Sequence, residues 1–160
     1  MSTLTNVVLI AATVTTGLIA GLFFTYSNSG LPGLQRSSDR TFVEGMQQIN
    51  VAILNPLFLA TFMGAMLLDL AAAVLVIIDG GMARIVLAIV GAVLYLATVG
   101  ITNKVNVPLN NELDAAGPID KIADVSLVRQ RFEARWVRYN IIRTYTSVGA
   151  FLALAIALVV

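Results

Sequence analysis

The sequence predicts an all-α membrane protein in which residues 1–160 form a single domain. Its side chains are 58% hydrophobic and only 12% charged, which lies far outside the range of soluble domains. Four apolar stretches each have the roughly 20 residues that a helix needs to cross a bilayer; they are residues 4–24, 54–78, 82–102 and 137–160. We therefore expect four transmembrane helices in an antiparallel bundle, with a short amphipathic helix between spans 1 and 2.

We expect the first span, residues 4–24, to be mature structure and not a signal peptide. It lacks a basic leading region, and its apolar stretch is longer than a typical signal core. Gly17 and Gly21 form a small-xxx-small pair that favours close helix packing. Serine, asparagine and glycine at residues 27–30 precede a turn at residues 31–33, so the helix is expected to end there.

A short amphipathic helix is predicted after that turn. Thr41 and Glu44 have the spacing of a capping box. The apolar residues that follow recur at steps of four, three and four, at Phe42, Met46, Ile49 and Ile53. The helix is expected either to lie along the membrane surface or to fold over the mouth of the bundle as a lid. Asn55 and Pro56 then have the order of an N-cap and first helical residue, and begin span 2.

Span 2 contains one acidic residue, Asp69, about fifteen residues in and therefore near the middle of the membrane. An unpaired carboxylate in hydrocarbon is costly, so we expect Asp69 to be hydrogen-bonded there, at a depth comparable with the threonines of span 1. A packing role is favoured over a proton relay. The turn at residues 79–81 leads directly into span 3.

Span 3 ends in a polar cluster. Thr102 and Asn106 share one helix face, and Pro108 disfavours helical backbone at Val107. Asn110 is therefore expected on a bent segment at the membrane interface. The alternative is ordinary helix termination, for which asparagine is well suited.

The helix that becomes span 4 begins with Asp124 or Ser126 as its cap. Polar and aromatic side chains then follow at steps of four, four, three and four, which places them on one face; they are Phe132, Trp136, Asn140, Arg143 and Ser147. Arg143 lies roughly one or two turns below the interface, where a charge usually faces a bundle interior. Its guanidinium is then expected to meet Asn106, Asn110 or a carboxylate of the amphipathic helix, since its donors need acceptors away from water. The alternative is that its flexible side chain extends to the headgroups.

Several classes of function are excluded or disfavoured by composition. The chain has no cysteine and no histidine, which removes disulfides, thiolate chemistry, the usual zinc sites and histidine-ligated haem. Paired-carboxylate spacing and glycine-rich phosphate loops are also missing, so neither a metal nor a cofactor is predicted. A net charge of only +1 argues against a nucleic-acid partner.

The basic residues predict the orientation in the membrane. All the lysines and arginines except Arg84 fall in or beside the first and third connections. By the positive-inside rule these two connections are cytoplasmic, and both termini lie outside a plasma (inner) membrane.

Several stretches of the chain together resemble the anthrone oxygenase-like family. They are FFTYS at 23–27, PGL at 32–34, DRTFV at 39–43, residues 46–50, NP at 55–56, NVPLN at 106–110 and FEARWVRYNIIRT at 132–144. Most members of that family are small bacterial membrane proteins of unknown function, and a few, mainly fungal, oxidise anthrones to anthraquinones. The resemblance implies the same fold, and it places the motif positions at Asn106, Asn110, Trp136, Asn140 and Arg143, with Tyr26 and Arg40 as further candidates. Ile141 stands where many relatives have histidine, so a histidine proton shuttle is missing.

The resemblance implies a cofactor-independent oxygenase acting on a lipophilic aromatic, of anthrone or quinol type, in a pocket at the mouth of the bundle. Arg143, Asn140 and Asn106 would stabilise the substrate oxyanion. The ligand would be bound by Trp136, Phe132, Tyr26, Asn110 and Arg40, and the proton acceptor would be Tyr26, Tyr139 or Glu44.

The alternative is a non-catalytic binding or accessory subunit that uses the same mouth to hold a quinone, a lipid or a partner protein. A homo-oligomer is compatible with either function. A transporter is third, because four short spans without broken helices or an inverted repeat do not match transporter folds.

Overall fold

The computed structural model describes residues 1–160 and is helical throughout, without a β-strand. Its α-helices are α1 Thr3–Thr25, α2 Leu31–Gln35, α3 Asp39–Ile53, α4 Pro56–Asp79, α5 Met82–Ile101, α6 Val107–Ala115 and α7 Val125–Ala157. Two π turns, Tyr26–Gly30 and Thr102–Asn106, join α1 to α2 and α5 to α6, and a 3₁₀ turn at Ile119–Lys121 precedes α7.

Four of the resulting helices are long and apolar enough to cross a membrane: Thr3–Gln35, Pro56–Asp79, Met82–Ala115 and Val125–Ala157. Their outer faces expose large apolar side chains, such as Leu18 and Leu67, which suits contact with lipid. The predicted all-α, four-span fold class is confirmed. The antiparallel order of the whole bundle and its single-domain character stay predictions.

The first and third spans stay helical through Tyr26–Gly30 and Thr102–Asn106, where the polar residues were expected to end or bend the helix. Each π turn lies just before a proline, Pro32 or Pro108. Its wide hydrogen bonds run from the Leu31 N–H to the Tyr26 carbonyl, and from the Val107 N–H to the Thr102 carbonyl. A proline in a regular α-helix clashes with the carbonyl four residues earlier, and the wider turn gives its ring room. The expected helix end at residues 27–30 is therefore wrong, and at Pro108 the alternative of ordinary helix termination does not hold, because α6 carries Asn110 beyond the proline.

The amphipathic helix α3 folds over one end of the bundle. Its cap is Ser38, whose Oγ accepts from the Thr41 N–H at 3.2 Å, so the predicted capping box at Thr41 and Glu44 is wrong. The buried face of α3 packs against α6 and α7 in a cluster that we call the cap core. The cap core consists of Leu31, Phe42, Val43, Met46, Leu109, Leu113, Ile119, Phe132 and Trp136.

The other helix ends follow the predicted local chemistry. Asn55 Oδ1 accepts from the Phe58 N–H at 2.9 Å and begins α4 behind Pro56. Asp124 Oδ1 accepts from the Leu127 N–H at 2.9 Å and begins α7. Between α4 and α5 the backbone reverses through Gly80 and Gly81, whose φ angles of 84° and 98° lie in the region that favours glycine.

Polar contacts tie α1 to α4 at two depths. The Ser2 N–H donates to Asp79 Oδ2 at 2.6 Å, which places the start of α1 beside the end of α4. In the middle, Thr16 Oγ1 donates to both carboxylate oxygens of the buried Asp69, at 3.0 and 3.2 Å. Asp69 is thus hydrogen-bonded as expected, and its donor is a threonine of the first span.

The predicted glycine pair of the first span is only partly used. A methyl group at Gly17 would lie 3.0 Å from the Phe151 ring of α7, so α1 and α7 approach closely there. The same group at Gly21 would meet nothing within 4 Å.

Candidate functional site

A cavity of about 130 Å³ lies between the two π turns and the C-terminal end of α3. Its floor is buried and polar, with Thr102, Asn106, Asn140 and Arg143 beside the ring of Phe23. Aromatic and aliphatic side chains form the walls, among them Tyr26, Ile49, Phe58 and Trp136. The rim includes the exposed residues Leu54, Val107, Asn111 and Asp114. The site is therefore a pocket with an apolar wall, one buried cation and an entrance that is partly apolar and partly polar.

Arg143 is the cation at the floor, and only 5% of it is exposed. Its Nη2 donates to Asn140 Oδ1 at 2.8 Å and its Nη1 to Thr102 Oγ1 at 3.3 Å. The guanidinium also lies 4.3 Å from the ring centroid of Phe23 and 5.3 Å from that of Trp136. Its hydrogen-bond partners are neutral, and none of the ion pairs in the structure includes it. Its charge therefore remains available to an anionic group on a ligand.

Asn140 holds Arg143 in place. Its Oδ1 faces the guanidinium, and its Nδ2 donates to Ser27 Oγ at 2.9 Å, so the two bonds fix the orientation of the amide. Ser27 in turn lies 2.8 Å from the hydroxyl of Thr144, which also donates to the Phe23 carbonyl at 3.1 Å. The network links α7 to the first π turn and holds the arginine in one orientation.

Trp136 forms a fixed wall of the pocket. Its indole N–H donates to Asn110 Oδ1 at 2.6 Å, and its carbonyl accepts from Asn106 Nδ2 at 3.4 Å. Its ring stacks on Phe132 at a centroid distance of 5.9 Å and is tilted toward Tyr26 at 6.3 Å. An aromatic ligand in the cavity would thus lie beside the aromatic side chains of Tyr26 and Trp136.

The structure brings most of the predicted site residues together. The predicted residues that line the cavity are Tyr26, Asn106, Asn110, Trp136, Asn140 and Arg143. Phe132 does not line it, because its ring lies behind Trp136 in the cap core. Arg143 was expected to meet Asn106, Asn110 or a lid carboxylate, whereas its partners are Asn140 and Thr102.

Arg40 lies outside the cavity. It is exposed at the start of α3 and forms an ion pair with Asp120, which precedes α7. The hydrogen bond from Arg40 to Asp120, together with the negative charge of that carboxylate, raises the pKa of the guanidinium above its ordinary value. Arg40 is thus paired with a surface carboxylate and is not among the residues that line the pocket.

Two of the proposed proton acceptors also lie outside the cavity. Glu44 is exposed on α3 and Tyr139 is half-buried on α7, and neither lines the cavity. Two lining residues that sequence reasoning missed are Asp114 on α6 and Asn50 on α3. Asp114 follows Asn110 by four residues, as Asn110 follows Asn106, so this spacing was a usable signal.

The molecule has no cluster of side chains that could hold a metal ion. No group of three or more acidic side chains lies close enough together to hold a metal ion. The chemistry of the pocket is therefore that of one guanidinium, several amides and hydroxyls, one carboxylate at the rim and aromatic faces.

Fold and pocket together define a class of protein: a four-span helical membrane protein with a buried arginine at the floor of an aromatic pocket, covered by a cap helix. The chain belongs to the anthrone oxygenase family, whose model matches residues 57–153. The match includes Asn106, Asn110, Trp136, Asn140 and Arg143, and it leaves Tyr26 and the first span outside. No curated protein and no solved structure matches the chain.

Proposed function

We propose that the protein is a membrane oxygenase that works without a cofactor and oxidises a flat, lipophilic aromatic of the anthrone or quinol type. The observation that supports this proposal best is the buried Arg143 guanidinium, which has only neutral partners and lies between aromatic rings. A cation in this setting favours a ligand that develops negative charge on an oxygen attached to an aromatic system. Membership of the anthrone oxygenase family supports the same reaction class.

The reaction on an anthrone balances with molecular oxygen as the only co-reactant. The methylene loses one proton, and its electron pair is delocalised onto the ring ketone as an enolate. Molecular oxygen then accepts electrons from the enolate carbon and forms a carbon–oxygen bond, giving a hydroperoxide after protonation. Loss of the second methylene hydrogen and cleavage of the O–O bond release water. The methylene has become a carbonyl, and one molecule of oxygen has been reduced to one carbonyl oxygen and one water.

Arg143 supplies the main electrostatic contribution in this scheme. The enolate oxygen carries the charge that forms in the first step, and a preorganised donor at such an oxygen contributes about 10²- to 10³-fold to the rate. Asn140 acts by orienting the guanidinium, since its oxygen already accepts from Arg143 Nη2. Tyr26 and Trp136 supply aromatic contacts to the flat substrate and help to keep water from the enolate.

Cavity size sets a condition on ligand entry. A cavity of about 150 Å³ holds one benzene ring, so the 130 Å³ present here accommodates roughly a single ring. A three-ring anthrone would therefore place one ring beside Arg143 and displace side chains at the rim, where Leu54 is 67% exposed. We expect the end of α3 near Leu54 to move when the ligand binds.

An oxygen-uptake assay tests the proposal. The purified protein in lipid nanodiscs is mixed with anthrone, and both oxygen consumption and anthraquinone absorbance are followed. The wild type should consume oxygen and form quinone in equal amounts, and Arg143→Gln should lose most of the rate. Arg138→Gln is the matched control, because Arg138 is exposed on the same helix. Binding of anthrone without any oxygen uptake would instead favour the binding or accessory subunit.

We also propose that the protein resides in the plasma (inner) membrane with both termini outside. The support is the concentration of lysine and arginine in the first and third connections. Single cysteines at positions 2 and 160 should react with an impermeant thiol reagent in intact cells, since the native chain has no cysteine. Protection of both positions in intact cells, with labelling after lysis, would reverse the orientation.

A further inference from the structure

Asp114 is the acidic side chain in the lining of the pocket. It lies in the last turn of α6, at the rim, and is exposed to solvent. The floor at the other end of the cavity carries the guanidinium of Arg143. One cavity thus has a cation buried at its floor and a carboxylate at its entrance.

The Asp114 carboxylate is held by α3. Its Oδ1 accepts from Asn50 Nδ2 at 3.4 Å, and Asn50 is itself a buried residue of the lining. One turn earlier on α3, Gln47 Nε2 donates to the carbonyls of Leu113 and Gly117, each at 3.0 Å. These bonds fix α3 to the end of α6 and leave Asp114 Oδ2 without a donor from the protein.

The other three candidate proton acceptors are less suitable than Asp114. Tyr26 lines the cavity, but a tyrosine phenol keeps its proton at neutral pH and does not accept another. Glu44 and Tyr139 lie outside the lining. A proton acceptor in the cavity also has to return its proton to water after each turnover, and the exposed position of Asp114 permits that.

We propose that Asp114 is the catalytic base of the reaction described above, and the assignment rests on that proposed function. Asp114 Oδ2 accepts a proton from the substrate methylene, so that the C–H bond breaks and an O–H bond forms on the carboxyl group. The electron pair of the C–H bond moves through the ring system to the ketone oxygen at the Arg143 end. Asn50 is a positioning residue, because its bond engages Oδ1 and leaves Oδ2 free to accept the proton. The proton then passes from Asp114 to solvent at the rim.

The separation of the two charged groups favours this direction of charge flow. Negative charge leaves the carboxylate as it is protonated and appears on the oxygen nearest the guanidinium. After the step the Asp114 carboxyl group is neutral and the single negative charge lies on the enolate oxygen beside Arg143, which lowers the energy of the enolate relative to a pocket without a cation at that end.

Deuterium exchange in the absence of oxygen measures the removal of the methylene proton separately from the oxidation. Anthrone is incubated with the protein in D₂O under argon, and exchange of the methylene protons is followed by NMR. Wild type should accelerate the exchange, and Asp114→Asn should reduce that acceleration by about 10²- to 10⁴-fold. Asp114→Glu should recover part of it. The matched control is Glu112→Gln, an exposed carboxylate on the same helix that lies outside the cavity lining and should exchange like wild type.

Binding of anthraquinone, which cannot be deprotonated, serves as the test of an intact pocket. Asp114→Asn should bind it as wild type does. Exchange at the wild-type rate in Asp114→Asn would overturn the assignment, as would a wild type that oxidises anthrone in air but does not accelerate exchange under argon. Exchange under argon that depends on Asp114, in a protein that consumes no oxygen in air, would keep Asp114 as the base and remove only the oxygenase proposal.

Discussion

Replacement of Arg143 by methionine should separate the function of the pocket from the stability of the fold. The substitution removes two hydrogen bonds, to Asn140 Oδ1 and Thr102 Oγ1, and the contacts of the guanidinium with the rings of Phe23 and Trp136. At about 2 kcal/mol for each hydrogen bond of a charged group and about 1 kcal/mol for each ring, these contacts contribute about 6 kcal/mol. Burying the charge costs several kcal/mol, which the methionine variant regains.

The two contributions nearly cancel, so the net change in unfolding free energy for Arg143→Met should stay within about 2 kcal/mol. Activity should fall by about 10²- to 10³-fold, because the enolate oxygen loses its preorganised donor. Arg143→Lys should lie between wild type and methionine, since an ammonium keeps the charge but cannot donate to both acceptors with the same planar geometry.

Thermal unfolding by circular dichroism in nanodiscs measures the change in unfolding free energy, and oxygen uptake with anthrone measures the change in activity. Arg138→Met, on the exposed side of α7, should change neither. Wild-type activity in Arg143→Met would refute the assigned role of the guanidinium. Loss of the folded state in that variant would show that Arg143 acts mainly in stability and that the balance of contacts against desolvation is wrong.

Three further substitutions have defined outcomes. Asp69→Asn keeps an acceptor for Thr16 Oγ1, so oxygen uptake should stay within about twofold of wild type; loss of activity in a folded variant would point to a proton relay at the membrane centre. Arg40→Gln removes only a surface ion pair, so anthrone affinity measured by fluorescence quenching should not change, and a weaker affinity would place Arg40 at the site. Trp136→Phe keeps a ring on the wall but leaves Asn110 Oδ1 without its donor, so thermal unfolding should show a loss of about 1–3 kcal/mol; an unchanged unfolding temperature would contradict the importance of that bond.

Much of the fold could be predicted because its determinants are local. Span length follows from the thickness of the bilayer, and the caps at Asn55 and Asp124 follow from side chains that reach the first free N–H groups of a helix. The face that carries Trp136, Asn140 and Arg143 could also be predicted, because it lies on an uninterrupted helix where spacing alone determines direction.

Asp114 was missed although its spacing of four residues from Asn110 was a usable signal, because Pro108 lies between it and the preceding helix. Proline normally ends or bends a helix, so the spacing from Asn106 to Asn110 was not extended further along the chain. The outcome depends on whether a π turn forms before the proline, which tertiary packing decides. The hydrogen bond from Arg143 to Asn140 was missed for a different reason. Asn140 lies three residues earlier on the same helix, and its side chain was assigned to the ligand instead.

Each π turn is equivalent to one residue inserted into an otherwise continuous α-helix. One additional residue rotates everything that follows it by about 100° around the helix axis. Deletion of a single residue from Thr102–Asn106 would therefore turn Asn110 and Asp114 away from the cavity without changing the chemistry of either side chain. The content of the pocket is thus controlled by helical phase as well as by residue identity. Insertions and deletions at the two π turns would therefore change which side chains line the pocket, which substitution at a fixed position does not do.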